Sequence, residues 1–230
     1  MTTVHSREIH IVVQSKYSEI LEKFKESFYD TTKQFTDLTL HVIDGASYGA
    51  VAINKILVPL LAAKRGYAFG VFNDDLIFSH GWLEDVIEAL ENHHCVSGGY
   101  VETEDMDTFV DAISKTETDN GYVELLYGPN AIFRMDVFPN IGIFDERFEW
   151  SVDDLDWALR MKLNGMSSIT LRRIRTCHLF GKTRLKNIKQ WNALSIINKQ
   201  RFYDKHGYRN YRNLRNDYQR WHRYFQDYKD

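Results

Sequence analysis

Strand-like and helix-like patterns alternate three times within about the first 90 residues of this chain, and no other feature narrows its fold as far. From Glu8 to Val13 the apolar residues Ile9, Ile11 and Val13 share one face, which predicts a strand. Ile20, Leu21, Phe24 and Phe28 then recur at helical spacing across residues 17–31. A second strand, Leu38 to Ile43, runs into the turn signal Asp44-Gly45. Gly49 to Ala63 reads as a helix and Tyr67 to Phe72 as a third strand. Gly81 to Glu91 follows as an amphipathic helix with Trp82, Val86, Ile87 and Leu90 inward. Strands joined by helical crossovers lie parallel with helices on both faces, so the expected class is α/β with a mostly parallel central sheet. Such sheets bind ligands outside the carboxyl ends of their strands. Asp44 and the triplet Asn73-Asp74-Asp75 both fall at strand ends of this kind.

The second half is less regular. Cys95 to Val101 and Ala131 to Arg134 read as strands, the latter after a Gly128-Pro129-Asn130 loop, and residues 102–120 read as an acidic surface excursion. Asp153 to Leu163 has a helical pattern, and Ser168 to Leu171 reads as a short strand. With 230 residues the chain can bury a substantial core without disulfide or metal staples. Cys95 and Cys177 form no CxxC pair, which suits a reducing compartment. Residues 1–6 lack the apolar core of a signal peptide, and Ile56 to Ala63 is too short to span a bilayer and contains Pro59. The expectation is a soluble, cytoplasmic protein with no transmembrane segment. The net charge of −3 conceals a division: residues 1–170 carry a net −15 and residues 171–230 a net +12. An acidic body with a basic end bears on partners rather than on fold.

Three constellations can carry chemistry. Asp74 and Asp75 are adjacent carboxylates at a strand end, which repel unless a cation or hydrogen-bond donors compensate. Hard divalent ions take oxygen ligands and bridge to diphosphate oxygens, while a polar turn capping the next helix is the plainer reading. Asp153, Asp154 and Asp156 crowd the start of a helix that contains Arg160. The helix dipole favours acids there, yet one facing a pocket could act as general base toward a hydroxyl. His178, in Cys177-His178-Leu179-Phe180-Gly181-Lys182-Thr183, is either a structural hydrogen-bonder or a ligand.

Taken together, this order of motifs resembles the family 2 glycosyltransferases and their GT-A relatives, especially the rhamnosyl- and galactofuranosyl-transferase-like members. The resemblance covers about residues 8–183. Its most specific part is Ile141-Gly142-Ile143-Phe144-Asp145-Glu146-Arg147-Phe148 followed by Asp153-Asp154-Leu155-Asp156 and Arg160. It implies a GT-A catalytic domain over residues 1–183, with residues 184–230 as a helical extension. It also implies transfer of a sugar from a nucleotide-sugar donor, UDP-linked, to an acceptor hydroxyl with inversion. Asp75 would bind the metal, Mn²⁺ or Mg²⁺, with His178 completing its shell. Asp44 would contact the nucleotide base, and Asn54, Asn73 and Asp74 would line the donor side. Asp154, paired with Asp153 in place of the usual Glu, would be the catalytic base, with Trp150 and Asn130 on the acceptor side. Two departures stand out: Asn73 occupies a position where Asp is common, and Asp44-Gly45-Ala46-Ser47-Tyr48-Gly49 replaces the family's Asp-Gly-Ser-x-Asp.

The basic end is also aromatic. Tyr211, Leu214, Tyr218, Trp221, Phe225 and Tyr228 recur at three- and four-residue steps, giving one helix an aromatic face. That face either packs on the acidic body or meets a polyanion, since basic residues neutralise phosphates and aromatics stack on bases. Enzymes that glycosylate modified bases in bacteriophage DNA need such a surface, which makes DNA a candidate partner and the host cytoplasm the setting. A cell-envelope glycan or lipid-linked acceptor is the alternative. A catalytically inactive GT-A-like module that binds nucleic acid is a third.

Overall fold

The computed structural model describes residues 8–44, 49–124, 128–148, 152–179 and 188–207. The chain opens with β1 (Ile9–Ser15), α1 (Ser18–Thr32), β2 (Leu38–Asp44), α2 (Ala50–Ala62) and β3 (Ala68–Phe72). A short β4 (Leu76–Phe78) precedes α3 (Trp82–Leu90), β5 (Cys95–Glu102), α4 (Met106–Thr116) and β6 (Tyr122–Glu124). The remainder comprises β7 (Asn130–Arg134), a 3₁₀ turn (Met135–Val137), α5 (Phe138–Ile141), α6 (Asp153–Leu163), β8 (Ser168–His178) and α7 (Ile188–His206).

All eight strands form one sheet in the order β2-β1-β3-β7-β5-β8-β4, with β6 also paired to β8. The βαβ alternation produces the parallel half, β2-β1-β3. The other half departs from a mostly parallel sheet. β7 is antiparallel to both β3 and β5, and β4 and β6 run antiparallel to β8, leaving β5-β8 as the second parallel pair. The sheet is therefore mixed. β7 is preceded by the short strand β6 rather than by a helix, so no helical crossover leads directly into it to impose a parallel direction.

Alternation along each strand sends side chains to two layers. Val12, Phe69, Cys95 and Phe133 face α2, α5 and α6, where they pack with Ile53, Leu57, Phe138, Trp157 and Met161. Ile11, Val13, Ala68, Val96 and Ile132 face α1 and α3, where Phe24, Phe28, Trp82 and Val86 cover them. The buried Trp82 indole donates to Thr31 Oγ1 at 3.0 Å, so its polar atom is satisfied. None of the described helices is long and apolar enough to cross a membrane.

Two segments carry more structure than their patterns suggest. The acidic stretch 102–120 contains α4, whose single buried apolar residue, Phe109, gives too sparse a periodic signal to read. It is fastened to β8 by Arg175, which reaches Glu117 at 2.8 Å, and by Ile174 N donating to Thr116 Oγ1 at 2.9 Å. β8 extends to His178 instead of stopping at Leu171, because β5 pairs it from Ser168 to His178 while β6 and β4 pair the two ends of its other edge. Its approach to β5 requires Gly99: a Cβ there would lie 2.1 Å from Arg173 O and 2.6 Å from Leu171 O. Gly99→Ala is therefore expected to destabilise the fold by about 2 kcal/mol or more. That loss would read as a fall of about 4–8 °C in the thermal midpoint.

Candidate active site

The pairing registers bring several strand ends to one edge of the sheet. Ser15 of β1 is opposite Asp44 of β2, and Phe72 of β3 is opposite Asn130 of β7. Glu102 of β5 and Leu76 of β4 are both opposite His178. The carboxyl ends of β1, β2, β3, β5 and β8 thus border a common region, where a ligand meets backbone termini rather than side chains already packed.

The Asn73-Asp74-Asp75 turn occupies this edge. Asn73 N donates to Pro129 O at 2.8 Å and Leu179 N to Asp75 O at 2.8 Å, which fixes the turn between two other strand ends. The two carboxylates go different ways. Asp74 is 4% exposed and accepts from Ser15 Oγ at 2.6 Å. Asp75 is 2% exposed and meets His178, with Oδ1 3.2 Å from Nε2. The Asn73 amide lies 3.3 Å from the same ring nitrogen. His178 Nδ1 is buried without a hydrogen bond, and the nearest acid is Glu102, Oε1 at 3.4 Å. Burial opposes a charge on His178, but the Asp75 carboxylate, assisted by Glu102, outweighs it and raises the histidine pKa.

Among the described residues no group of three or more His, Cys, Asp or Glu side chains is arranged to hold a metal ion. The Asp75–His178 pair still has suitable donor chemistry. One carboxylate oxygen and one imidazole nitrogen stand 3.2 Å apart. Adjacent ligands on an octahedral ion with bonds of about 2.1 Å are about 3 Å apart. Mg²⁺-type sites use few protein ligands and complete their shells with water and substrate phosphate. A ligating histidine commonly turns its second nitrogen to a carboxylate, which is the place Glu102 holds. The pair fits a divalent ion as a two-ligand site.

α6 packs in the same layer as α2 and α5. It ends in a turn at Gly165 that leads directly into β8, so helix and strand run oppositely. Trp157 rests on Phe133, ring centroids 4.6 Å apart, and the helix opens with Asp153 at its amino end. Asp153 and Asp154 occupy that end. Burial raises both pKa values; the Asp153 charge adds to the rise at Asp154, and the Asp156 charge adds to the rise at Asp153. Leu155 N donates to Asp154 Oδ1 at 2.8 Å, an interaction that favours the charged form but does not cancel the rise. The residue before them, Val152, has φ 72°, a conformation that strains a β-branched side chain.

Other expected site residues serve the frame. Asn54 donates to Phe144 O at 2.8 Å and accepts from Phe144 N at 3.2 Å, closing the Ile141–Phe148 segment onto α2. Arg160 grips the Ile141, Gly142 and Ile143 carbonyls and pairs with Asp156 at 2.9 Å. Asn130 is 1% exposed, with its oxygen taken by Ser97 Oγ and its nitrogen 3.3 Å from Thr176 Oγ1. Asp44 ends β2 at the shared edge; its side chain and the whole of Trp150 lie outside the described residues. Ser15 and Glu102 are participants that sequence reasoning missed. Only strand register brings them to Asp74 and His178, and no local pattern marks either one.

No protein-family model matches the chain, and no curated protein matches its sequence. Its backbone is similar to a crystal structure of GalNAc-T7 with UDP, GalNAc and Mn²⁺, with a TM-score of 0.56 and 10% identity. The match covers 76% of this chain and 44% of that one. The chain has a GT-A-like fold. At this identity the likeness is one of fold, and the chain spans less than half the length of the structure it matches. Within the GT-A-like frame the Asp75–His178 pair lies where ligands of open α/β sheets bind.

Two outcomes follow from this geometry. A histidine whose folded pKa is raised adds stability in full below its unfolded pKa of about 6.5 and loses it as pH climbs through the folded value. In chelator, wild type should thus be more stable than His178→Gln below about pH 6, with the gap narrowing at higher pH, as read by urea denaturation across pH. Asn54→Ala leaves the Phe144 backbone amide and carbonyl unsatisfied and should cost about 2–3 kcal/mol in the same assay.

Proposed function

We propose that this chain is a metal-dependent glycosyltransferase that moves a sugar from a nucleotide-sugar donor, UDP-linked, to an acceptor hydroxyl with inversion. The observation that carries the reading is the Asp75–His178 pair at the carboxyl edge, and a helix whose first two carboxylates both have raised pKa values supports it. Asp75 and His178 would hold Mn²⁺ or Mg²⁺, with Glu102 orienting the imidazole. The bound ion supplies positive charge against the negative charge that gathers on a departing diphosphate. Asp154 takes the proton of the acceptor hydroxyl while that oxygen bonds to the anomeric carbon, and the bond from carbon to diphosphate breaks with its electrons leaving on the diphosphate. Its raised pKa makes Asp154 a stronger base than an ordinary aspartate, and the nearby Asp153 charge contributes to that rise. Asp44, Asn73 and Asp74 belong to the donor side of this reading, and Trp150 and Asn130 to the acceptor side.

The acceptor we favour is a modified base in DNA, and the support for it is the charge of residues 171–230. Within α7 the basic groups Arg201, Lys205 and His206 contact the body, and we assign that role to the basic residues 208–230, outside the described residues. A cell-envelope glycan or lipid-linked acceptor is the competing reading. Cys95 and Cys177 are both unbridged and buried, which accords with a cytoplasmic setting.

A screen of nucleotide sugars by thermal shift tests the donor: one UDP-sugar should raise the melting temperature with Mn²⁺ and not without it. Asp75→Ala should abolish that shift. Asp154→Asn should keep the shift and lose about 100-fold or more in turnover. The acid limb of the wild-type rate profile should fall well above the ordinary aspartate value of about 3.9, because the base must be ionised. Unaltered transfer by both variants would remove the reading. Salt-sensitive DNA binding that is lost on deleting residues 208–230 would favour the DNA acceptor, and no binding at low salt would favour the glycan.

A further inference from the structure

We infer that α7 is part of the catalytic unit: Lys205, His206 and Phe202 are positioning residues that hold the start of α6, and with it Asp153 and Asp154. The inference rests on the reading of Asp154 as base, but its physical core stands independently.

The segment between Asp145 and Asp156 links the Ile141–Phe148 stretch to α6. Lys205 ties it at both ends, with Nζ 2.7 Å from Asp145 Oδ2 and 2.7 Å from Asp156 Oδ1. Asp156 is 1% exposed and also receives His206 Nε2 at 2.8 Å and Arg160 Nε at 2.9 Å. Burial alone would neutralise such a carboxylate, but His206, Arg160 and Lys205 together lower its pKa. Asp145 is held in its charged form in the same way by Arg147 and Lys205, against its own burial. A buried acid and a half-buried one thus share one ammonium from outside the α/β body.

The apolar side of the junction points the same way. Phe202, 2% exposed, packs with Phe148, Val152 and Leu159. The Lys205 ammonium lies 5.5 Å from the centre of the Phe148 ring. Arg201 Nη1 donates to Arg147 O at 2.6 Å. Val152 is the residue with φ 72°, a strain of about 1–3 kcal/mol that persists only where the surroundings over-determine it. Its dihedral sets the direction in which Asp153 and Asp154 leave the loop, and Asp156 N closes the first helical bond onto Val152 O at 2.9 Å. α7 supplies the aromatic cover for Val152 and the cations for Asp156, three residues beyond Asp153. α7 acts on Asp153 and Asp154 through the backbone that joins them to Val152 and Asp156.

Lys205→Met keeps the aliphatic stem over Phe148 and removes only the charge. In this variant the Asp156 amide should exchange hydrogen about tenfold faster or more, while amides of β1 and β3 keep wild-type protection. Turnover should fall about tenfold with the donor KM within about twofold, the signature of a misplaced catalytic group rather than lost binding. His206→Ala should behave alike, and His206→Gln, whose amide nitrogen can reach Asp156, should recover most of the loss. If Lys205→Met does not fold, the His206 pair gives the same reading. Unchanged exchange at Asp156 overturns the inference, and so does an equal rise across β1 and β3, which would make α7 a general brace. A wild-type protein without transferase activity would count against the proposed function alone, leaving the exchange result to decide this one.

Discussion

The candidate site depends on the path of β8. This strand starts beside the end of α6, runs parallel to β5, and at its far end lies opposite both Glu102 and Leu76. That path brings His178 to Asp75, residues separated by half the sheet in sequence order. A carboxylate as buried as Asp75 needs a compensating charge or donor, and β8 delivers it. The close passage of β8 across β5 is possible only because Gly99 presents no side chain to the Leu171 and Arg173 carbonyls.

Around this axis the acidic residues divide into two kinds of work. Asp145 and Asp156 are held in the frame by cations from a distant element, while Asp74 accepts from the Ser15 hydroxyl. Asp75 is set against an imidazole, and Asp153 and Asp154 have pKa values raised by burial and by neighbouring carboxylates. An acidic body with a basic end thereby acquires a structural meaning in its described part. Cations of α7 anchor acids of the body, which charge counting along the chain could not separate from a surface for an external polyanion.

The Ile141–Phe148 and Asp153–Arg160 segments illustrate how a recognisable pattern mixes roles. Most of its residues build a clasp: Asn54 holds Phe144, Arg160 holds three carbonyls and Asp156, and Lys205 joins Asp145 to Asp156. Asp153 and Asp154 lie within this clasped segment. A similar division applies at Asn130, which the sequence places beside a strand end and the structure commits to Ser97 and Thr176.

What the sequence determined by itself was periodic and local. Apolar residues at two-residue and 3.6-residue spacing located β1, α1, β2, α2, β3, α3 and α6 nearly to the residue, and the βαβ order put Asp44 and Asn73–Asp75 at carboxyl ends. Burial of one face is encoded within a few residues, so such elements are legible one at a time. Tertiary structure alone decided the mixed direction of the sheet, the length of β8, the existence of α4, the nearness of Glu102 to His178 and the anchoring of Asp156 by Lys205 and His206. Each of these depends on pairing across large sequence separations. There the outcome is set by which strand edge and which buried charge remain to be satisfied after the local elements have formed, and no window of neighbouring residues carries that information.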